Sequence, residues 1–289
     1  MAGTTALTVS VGVLGSAIYT NIFSAPVLVG AGDIATCPNT GDEDTVALLD
    51  DIDGAVFTLG DNAYEGGTDA DFENCYEPSW GRHKPRTYPS VGNHEYGTAD
   101  ASGYFNYFGA AAGDPTEGYY SYNLGNWHIV VLNSMCENVG GCGDDSPMLE
   151  WLRNDLSTNP QSCTLAYWHH PLFSSGSVYG NDTKMRSAWD ALYASGADVI
   201  LSAHEHVYER FAPQTPGGAY DPTSGIREFL VGTGGEALYG WGTIQPNSEV
   251  RNNTAHGVLK LTLNATSYDW EFVPVADETF TDSGSGSCH

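Results

Sequence analysis

The run Ala55-Val56-Phe57-Thr58-Leu59 followed by Gly60-Asp61-Asn62-Ala63-Tyr64 decides the fold. The first five residues read as a buried strand, which places Asp61 just beyond its carboxyl end, the edge of an open α/β sheet where ligands collect. A Gly-Asp turn there offers a carboxylate with little bulk around it, and Tyr64, three residues on, can bring a phenolic oxygen back to the same point. Alone, Asp-Asn after a strand is ordinary turn composition, and the turn is then the better reading.

Four further stretches repeat the pattern. Gly32-Asp33 follows the apolar run Pro26 to Val29, and Gly92-Asn93-His94-Glu95 follows Thr87 to Val91. Trp168-His169-His170-Pro171 follows Thr164 to Tyr167, and Ala203-His204-Glu205-His206 follows Asp198 to Leu201. Five times a short apolar strand ends in Asp, Asn or His. Oxygen and imidazole donors suit iron, manganese and zinc, and several brought to one sheet edge can hold two such ions. For any one of these histidines a hydrogen-bonded structural role is the simpler reading; the ordered set makes that reading improbable.

Taken in order, the five stretches resemble the calcineurin-like metallophosphoesterases, and Tyr64 within Asp-Asn-Ala-Tyr narrows the resemblance to the purple acid phosphatase branch. His204-Glu205-His206-Val207-Tyr208-Glu209-Arg210 is similar to that branch's last motif. The likeness runs from about Pro26 onward. Two positions depart from the pattern: Gly32-Asp33-Ile34-Ala35 lacks the second glycine of the first motif, and Ala203 stands where a glycine usually precedes His204. Both change the turn and leave the ligand.

The resemblance implies an α/β fold, a four-layer αββα sandwich with two mixed β-sheets. It implies two metal ions: Asp33, Tyr64 and His206 on the first, Asn93, His169 and His204 on the second, Asp61 between them. The phenolate, carboxylate and imidazole set favours Fe(III), and the more neutral set suits Zn, Mn or Fe(II). The implied activity is hydrolysis of phosphate monoesters by a metal-activated hydroxide, with phosphodiesters or nucleotides as alternative substrates of the same core. His94 would donate to the phosphoryl oxygens or protonate the leaving alcohol, or else orient Asn93. Plant-type members carry an extra His pair shortly after the Trp168–Pro171 motif; Phe173 to Thr183 has none. His170 and Tyr179 are the nearby replacements, and without them acid catalysis rests on His94 alone and favours leaving groups of low pKa. A surface or filament protein that retained the fold is the other class, and loss of ligands would be its mark.

Thirty-six acidic residues face only 10 basic ones, a formal charge of −26. Such a chain is repelled by nucleic-acid backbones and anionic membrane surfaces, which argues against both as partners and favours a secreted or high-salt setting. An anionic phosphate ester is still a reasonable partner. A trivalent plus a divalent ion outweigh Asp33, Asp61 and a Tyr64 phenolate at contact range, whereas distant surface charge is screened. Oligomeric state is not legible.

Six cysteines without Cys-x-x-Cys spacing suggest disulfides and an oxidising compartment, extracellular or periplasmic, and six cysteines allow 15 pairings. Cys136 with Cys142 closes a short glycine-rich loop; Cys37 with Cys75 and Cys163 with Cys288 follow by elimination. Six reduced thiols in a cytosolic protein remain the alternative.

Residues 1–25 carry no charge and read as an uncharged leader, an anchor remnant or an extra strand, with no stable membrane partner unless they serve as an anchor. Residues 26–289 show no linker-like break and read as a single catalytic domain. Thr45 to Leu49 reads as a helix, Glu65 to Arg86 as a long surface loop, and Ser146-Pro147 as the start of a helix carrying Leu149, Leu152 and Leu156 on one face. Met185 to Tyr193 is a second amphipathic helix. Trp127 to Leu132, Ile226 to Val231, Val258 to Leu263 and Tyr268 to Val273 read as strands. The aromatics of residues 101–126 suit packing under loops more than stacking on a substrate.

Overall fold

The computed structural model describes residues 25–289, so the leader, anchor or strand expected over residues 1–25 falls almost wholly outside the described residues. The chain opens with β1 (Val27–Ala31), α1 (Gly41–Asp51), β2 (Ala55–Leu59), a single turn α2 (Asp69–Asp71), β3 (Thr87–Ser90) and α3 (Ser102–Phe108). It continues through β4 (Tyr120–Leu124), β5 (Trp127–Val131), α4 (Pro147–Thr158), β6 (Cys163–Tyr167), α5 (Arg186–Ala194) and β7 (Val199–Ser202). The last part is almost all strand: β8 (Tyr208–Phe211), β9 (Arg227–Val231), β10 (Ser248–Asn252), β11 (Gly257–Leu263), β12 (Ser267–Pro274) and β13 (Asp282–Ser287).

These strands form two mixed sheets. One has the order β13-β12-β11-β1-β2-β3, the other β10-β8-β9-β7-β6-β5-β4. β1, β2 and β3 run parallel, as do β5, β6, β7 and β9; the flanking strands are antiparallel. The two-residue alternation of a strand divides the apolar residues between two cores. Ile129, Leu165, Leu201 and Phe229 face the first sheet in one cluster, whereas their neighbours Val130, Ala166, Ile200 and Leu230 join Leu149, Leu152, Trp189 and Leu192 of α4 and α5 in the other. Val46 and Leu49 of α1 pack on the first sheet. The result is the expected α/β sandwich with helices outside two sheets.

α4 begins where the sequence puts it: Ser146 Oγ accepts from Leu149 N–H, with Pro147 in the first turn. The stretch from Glu65 to Arg86 is not the surface loop expected. It coils into α2, a π-helical turn over Phe72–Tyr76 and a 3-10 turn over Trp80–Arg86, because Phe72, Tyr76 and Trp80 are buried and need a backbone that pairs its own polar groups. The aromatics of α3 pack rather than await a ligand: Phe72 stacks on Tyr107 with centroids 4.9 Å apart and meets Phe108 edge-on at 5.7 Å. All three disulfides form as paired above, Cys37–Cys75, Cys136–Cys142 and Cys163–Cys288. No helix among the described residues is long and apolar enough to cross a membrane.

Candidate metal centre

The carboxyl ends of β1, β2 and β3 in one sheet and of β6, β7 and β9 in the other point to the same edge. There the two sheets' loops interlock: Gly32 N–H donates to Val231 O at 2.8 Å, and His204 N–H to Asp33 Oδ2 at 2.9 Å. Each of the two carboxylates is fixed by one oxygen and presents the other. Asp33 keeps Oδ1 for Tyr64 OH at 3.0 Å; Asp61 receives His94 N–H on Oδ1 at 2.8 Å and turns Oδ2 towards Tyr64 OH at 3.3 Å. Asp33, Asp61 and His204 all take positive φ, at 57°, 49° and 68°. Left-handed conformations at three non-glycine residues concentrate backbone strain where the donors converge.

The histidines are aimed by backbone carbonyls. His169 Nδ1 donates to Leu59 O at 2.7 Å, which turns Nε2 to Asn93 Oδ1 at 3.0 Å, His204 Nδ1 at 3.1 Å and Asp61 Oδ2 at 3.1 Å. His206 Nδ1 donates to Ala237 O at 2.8 Å, leaving Nε2 3.3 Å from Tyr64 OH and 3.5 Å from Asp33 Oδ1. Second partners of this kind fix tautomer and ring orientation in metal sites. All seven expected donors, Asp33, Asp61, Tyr64, Asn93, His169, His204 and His206, therefore meet in one cluster. Asp33, Asp61 and His169, and separately His169, His170 and His204, are grouped closely enough to share an ion. Cys163, Asp198 and Cys288 are similarly close, but both sulfurs are in a disulfide.

The electrostatics ask for positive charge. Burial raises Asp33, and burial followed by Asp33 and Asp61 pushes the Tyr64 hydroxyl well above its usual range. Burial opposes a charged His169, yet Asp61 and Asp33 outweigh it and raise that ring to about 9. Burial would also raise Asp61, but His169 and His94 hold it below the ordinary carboxylate range. Burial and His169 push His204 down to about 2, so it stays neutral and able to donate a lone pair.

His94 is the partly open member, with its side chain 28% exposed, Nδ1 2.6 Å from Glu65 O and Nε2 3.9 Å from Asp61 Oδ2. His170 lies inside. Its ring sits 4.2 Å from that of His204, and Ser134 Oγ meets its Nδ1 at 2.8 Å while accepting its N–H at 3.1 Å. Tyr179 stacks on His204 at 3.9 Å.

Sequence reasoning missed three parts of the site. Glu95 is fully buried and accepts from the N–H groups of Asp61, Asn62, Ala63 and Gly92, locking two donor loops together. Ser134, after β5, supports His170. The loop after β9 supplies Ala237 O, Tyr239 and Gly232, beside which a side chain would meet Asp33 Oδ2 at 2.5 Å. The signal there was a sixth apolar strand ending in Gly232-Thr233-Gly234-Gly235, a turn without Asp or His.

The calcineurin-like phosphoesterase family model matches residues 28–208. Purple acid phosphatase 15 of Arabidopsis thaliana is 27% identical over 216 residues, covering 62% of this chain and 40% of that protein. Purple acid phosphatase 21 of the same plant is 31% identical over 187 residues, covering 59% and 41%. The solved structure of purple acid phosphatase PPD1 from yellow lupin (Lupinus luteus) seeds superposes with a TM-score of 0.74 at 18% identity, over 91% of this chain and 54% of that one, a likeness of fold. The chain thus spans about two fifths of the length of these curated relatives.

Proposed function

The chain belongs to the calcineurin-like phosphoesterase family, and on that premise we propose that it hydrolyses phosphate monoesters at a pair of metal ions, with residues 26–289 acting as one catalytic unit. Asp33, Tyr64 and His206 would hold the first ion, Asn93, His169 and His204 the second, with Asp61 shared between them. The observation that carries this is the orientation of His169 and His206. In each ring Nδ1 donates to a backbone carbonyl, which leaves Nε2 facing inward beside the carboxylate oxygens of Asp61 and Asp33, the amide oxygen of Asn93 and the hydroxyl of Tyr64. Such an inward set suits a cation and little else. The phenol of Tyr64, held protonated by burial and by its anionic neighbours, gives up its proton only to an ion of high charge, which favours Fe(III) there and Zn, Mn or Fe(II) on the more neutral side.

Ions so held supply Lewis-acid polarisation of the phosphoryl group and a water acidic enough to attack phosphorus near neutral pH. The chain's own part is positioning. His94, fixed through Nδ1 to Glu65 O, presents Nε2 to the mouth, where it donates to the phosphoryl oxygens or protonates the leaving alcohol. His170, 3% exposed and held by Ser134, is a positioning residue for His169 and His204 rather than a contact for substrate. The disulfides support secretion into an oxidising compartment.

The test is elemental analysis with a visible spectrum of the purified protein, and turnover of p-nitrophenyl phosphate against its bis-ester. About two ions per chain, a phenolate-to-iron(III) band lost in Tyr64→Phe, and faster turnover of the monoester are expected. Faster bis-ester hydrolysis would move the assignment to a phosphodiesterase; failure to bind metal would remove the enzymatic reading.

A further inference from the structure

Two tyrosine rings cover imidazoles of the cluster. Tyr179 stacks on His204 with ring centroids 3.9 Å apart at 24°, and Tyr239 on His206 at 3.9 Å and 10°. The two tyrosine rings are 6.3 Å from each other. Tyr179 and its chain neighbour Val178 are two of the four large exposed hydrophobics among the described residues. A half-exposed aromatic ring set against a site histidine marks a recognition surface rather than random exposure.

This aromatic cover is built by the donor loop itself. Glu205, between His204 and His206, accepts through Oε1 from the N–H groups of Val178, Tyr179 and Gly180 at 3.2, 2.5 and 2.6 Å. The same segment is tied to the loop carrying Tyr239 by Ser177 N–H to Gly240 O at 3.0 Å and Gly242 N–H to Ser175 O at 2.8 Å. Both tyrosines are therefore set relative to the imidazoles they cover.

The one cation whose field reaches the cluster is already paired. Among the described residues, none of the 10 Lys and Arg side chains hydrogen-bonds or pairs with a member of the cluster or of this cover. Lys184 is the cation whose field reaches His170 and His204, and its ammonium is already 3.0 Å from Asp182 Oδ2. A second phosphate group would have to compete with Asp182 for Lys184 and would face a chain of charge −26.

We propose that Tyr179 and Tyr239 receive the aromatic part of the leaving alcohol, so that the substrate class is an aryl or aralkyl ester carrying one phosphate rather than a nucleoside polyphosphate or a polyphosphorylated polyol. The proposal rests on the phosphoester reading above. 2-Phenylethyl phosphate and ethyl phosphate release alcohols of nearly equal acidity, so the ratio of their kcat/KM values reads the ring alone. The ratio should be about tenfold in the native protein and fall to within about twofold in Tyr179→Ala/Tyr239→Ala. Tyr179→Ala alone, at a half-exposed position, gives the same comparison if the double variant fails to fold, and Tyr179→Phe should retain the preference. Titration calorimetry with benzylphosphonate against methylphosphonate makes the comparison without turnover, and the aromatic ligand should bind about tenfold tighter. Equal values for both members of each pair in the native protein, or a preference that survives both alanines, would overturn the proposal. A metal-loaded protein that turns over neither ester but still prefers benzylphosphonate would instead overturn the hydrolase reading and with it the substrate class, leaving only the ring-binding role of the two tyrosines.

Discussion

Glu95 accepts four backbone N–H groups from two different donor loops, so its loss strands several donors at once in a dry interior. A buried orphan N–H costs about 1–3 kcal/mol, and water entry offsets part of that, so Glu95→Ala should destabilise the fold by about 3–5 kcal/mol. Urea unfolding followed by circular dichroism checks it, and a cost under about 1 kcal/mol would mean the loops hold their own shape. Glu228 makes a different case. Burial raises its carboxyl well above the ordinary 4.5, against the Ser202 hydroxyl at 3.2 Å and with help from Glu209, and Oε2 has no partner. Folded, it keeps a proton that the unfolded chain releases above about 4.5. The stability it contributes is therefore full below that pH and is lost as pH rises towards the folded value. Glu228→Gln cannot ionise, so its unfolding midpoint should fall less steeply between pH 5 and 9 than that of the native chain; parallel slopes would show that Glu228 is ionised in the fold.

At the scale of elements, β4, β8, β10 and β13 were not read from the sequence, and β13 is the one with least to show. Asp282-Ser283-Gly284-Ser285-Gly286-Ser287 has no apolar residue and two glycines, yet it pairs along β12. The glycines make the room that lets Trp270 and Tyr268 lie across the strand, where a side chain at Gly284 or Gly286 would meet those rings at 2.3 and 2.4 Å. Asp282 receives Tyr208 OH, Arg210 Nε and Trp270 Nε1. Beyond it Cys288 is bonded to Cys163, closing a separation of 125 residues, so Cys288→Ser should cost about 3–5 kcal/mol and make β13 the first strand to exchange its amide protons. Late exchange of β13 in that variant would show that its pairing, not the disulfide, holds the edge.

The same contrast explains what could be read in advance. β1, β2, β3, β5, β6, β7, β9, β11 and β12 announce themselves as strands, and the seven donors follow because each lies just past the end of β1, β2, β3, β6 or β7. β13 stays silent since its stability lies in a partner's aromatics, and the loop after β9 stays silent because it contributes a backbone carbonyl and space. Gly92 lies between these cases. It was legible as part of Gly92-Asn93-His94-Glu95, but only the fold shows that a Cβ there would lie 2.2 Å from Asp61 Oδ1. Gly92→Ala should keep its far-ultraviolet dichroism and lose the ion that Asp61 helps hold; full metal content by elemental analysis would contradict the shared role of Asp61.

Over the whole molecule the charge of −26 sets two effects against each other. At contact range the cluster, once it holds cations, attracts a phosphate dianion; beyond it the surface repels the same dianion on its way in. Salt does not act equally on the two, because the Debye length is about 10 Å at 0.1 M and buried charges are screened far less than exposed ones. Adding sodium chloride from 10 to 200 mM should therefore remove the distant repulsion first. The expectation is that kcat/KM for a phosphate monoester rises about two- to fivefold over that range while kcat stays nearly constant, the reverse of an enzyme that steers its anion through a basic surface. Like charges also repel one another within the fold, so the thermal midpoint should climb over the same range. A fall in kcat/KM with salt would place an attractive field at the entrance, of which Lys184, the cation whose field reaches His204, would be the first source to test.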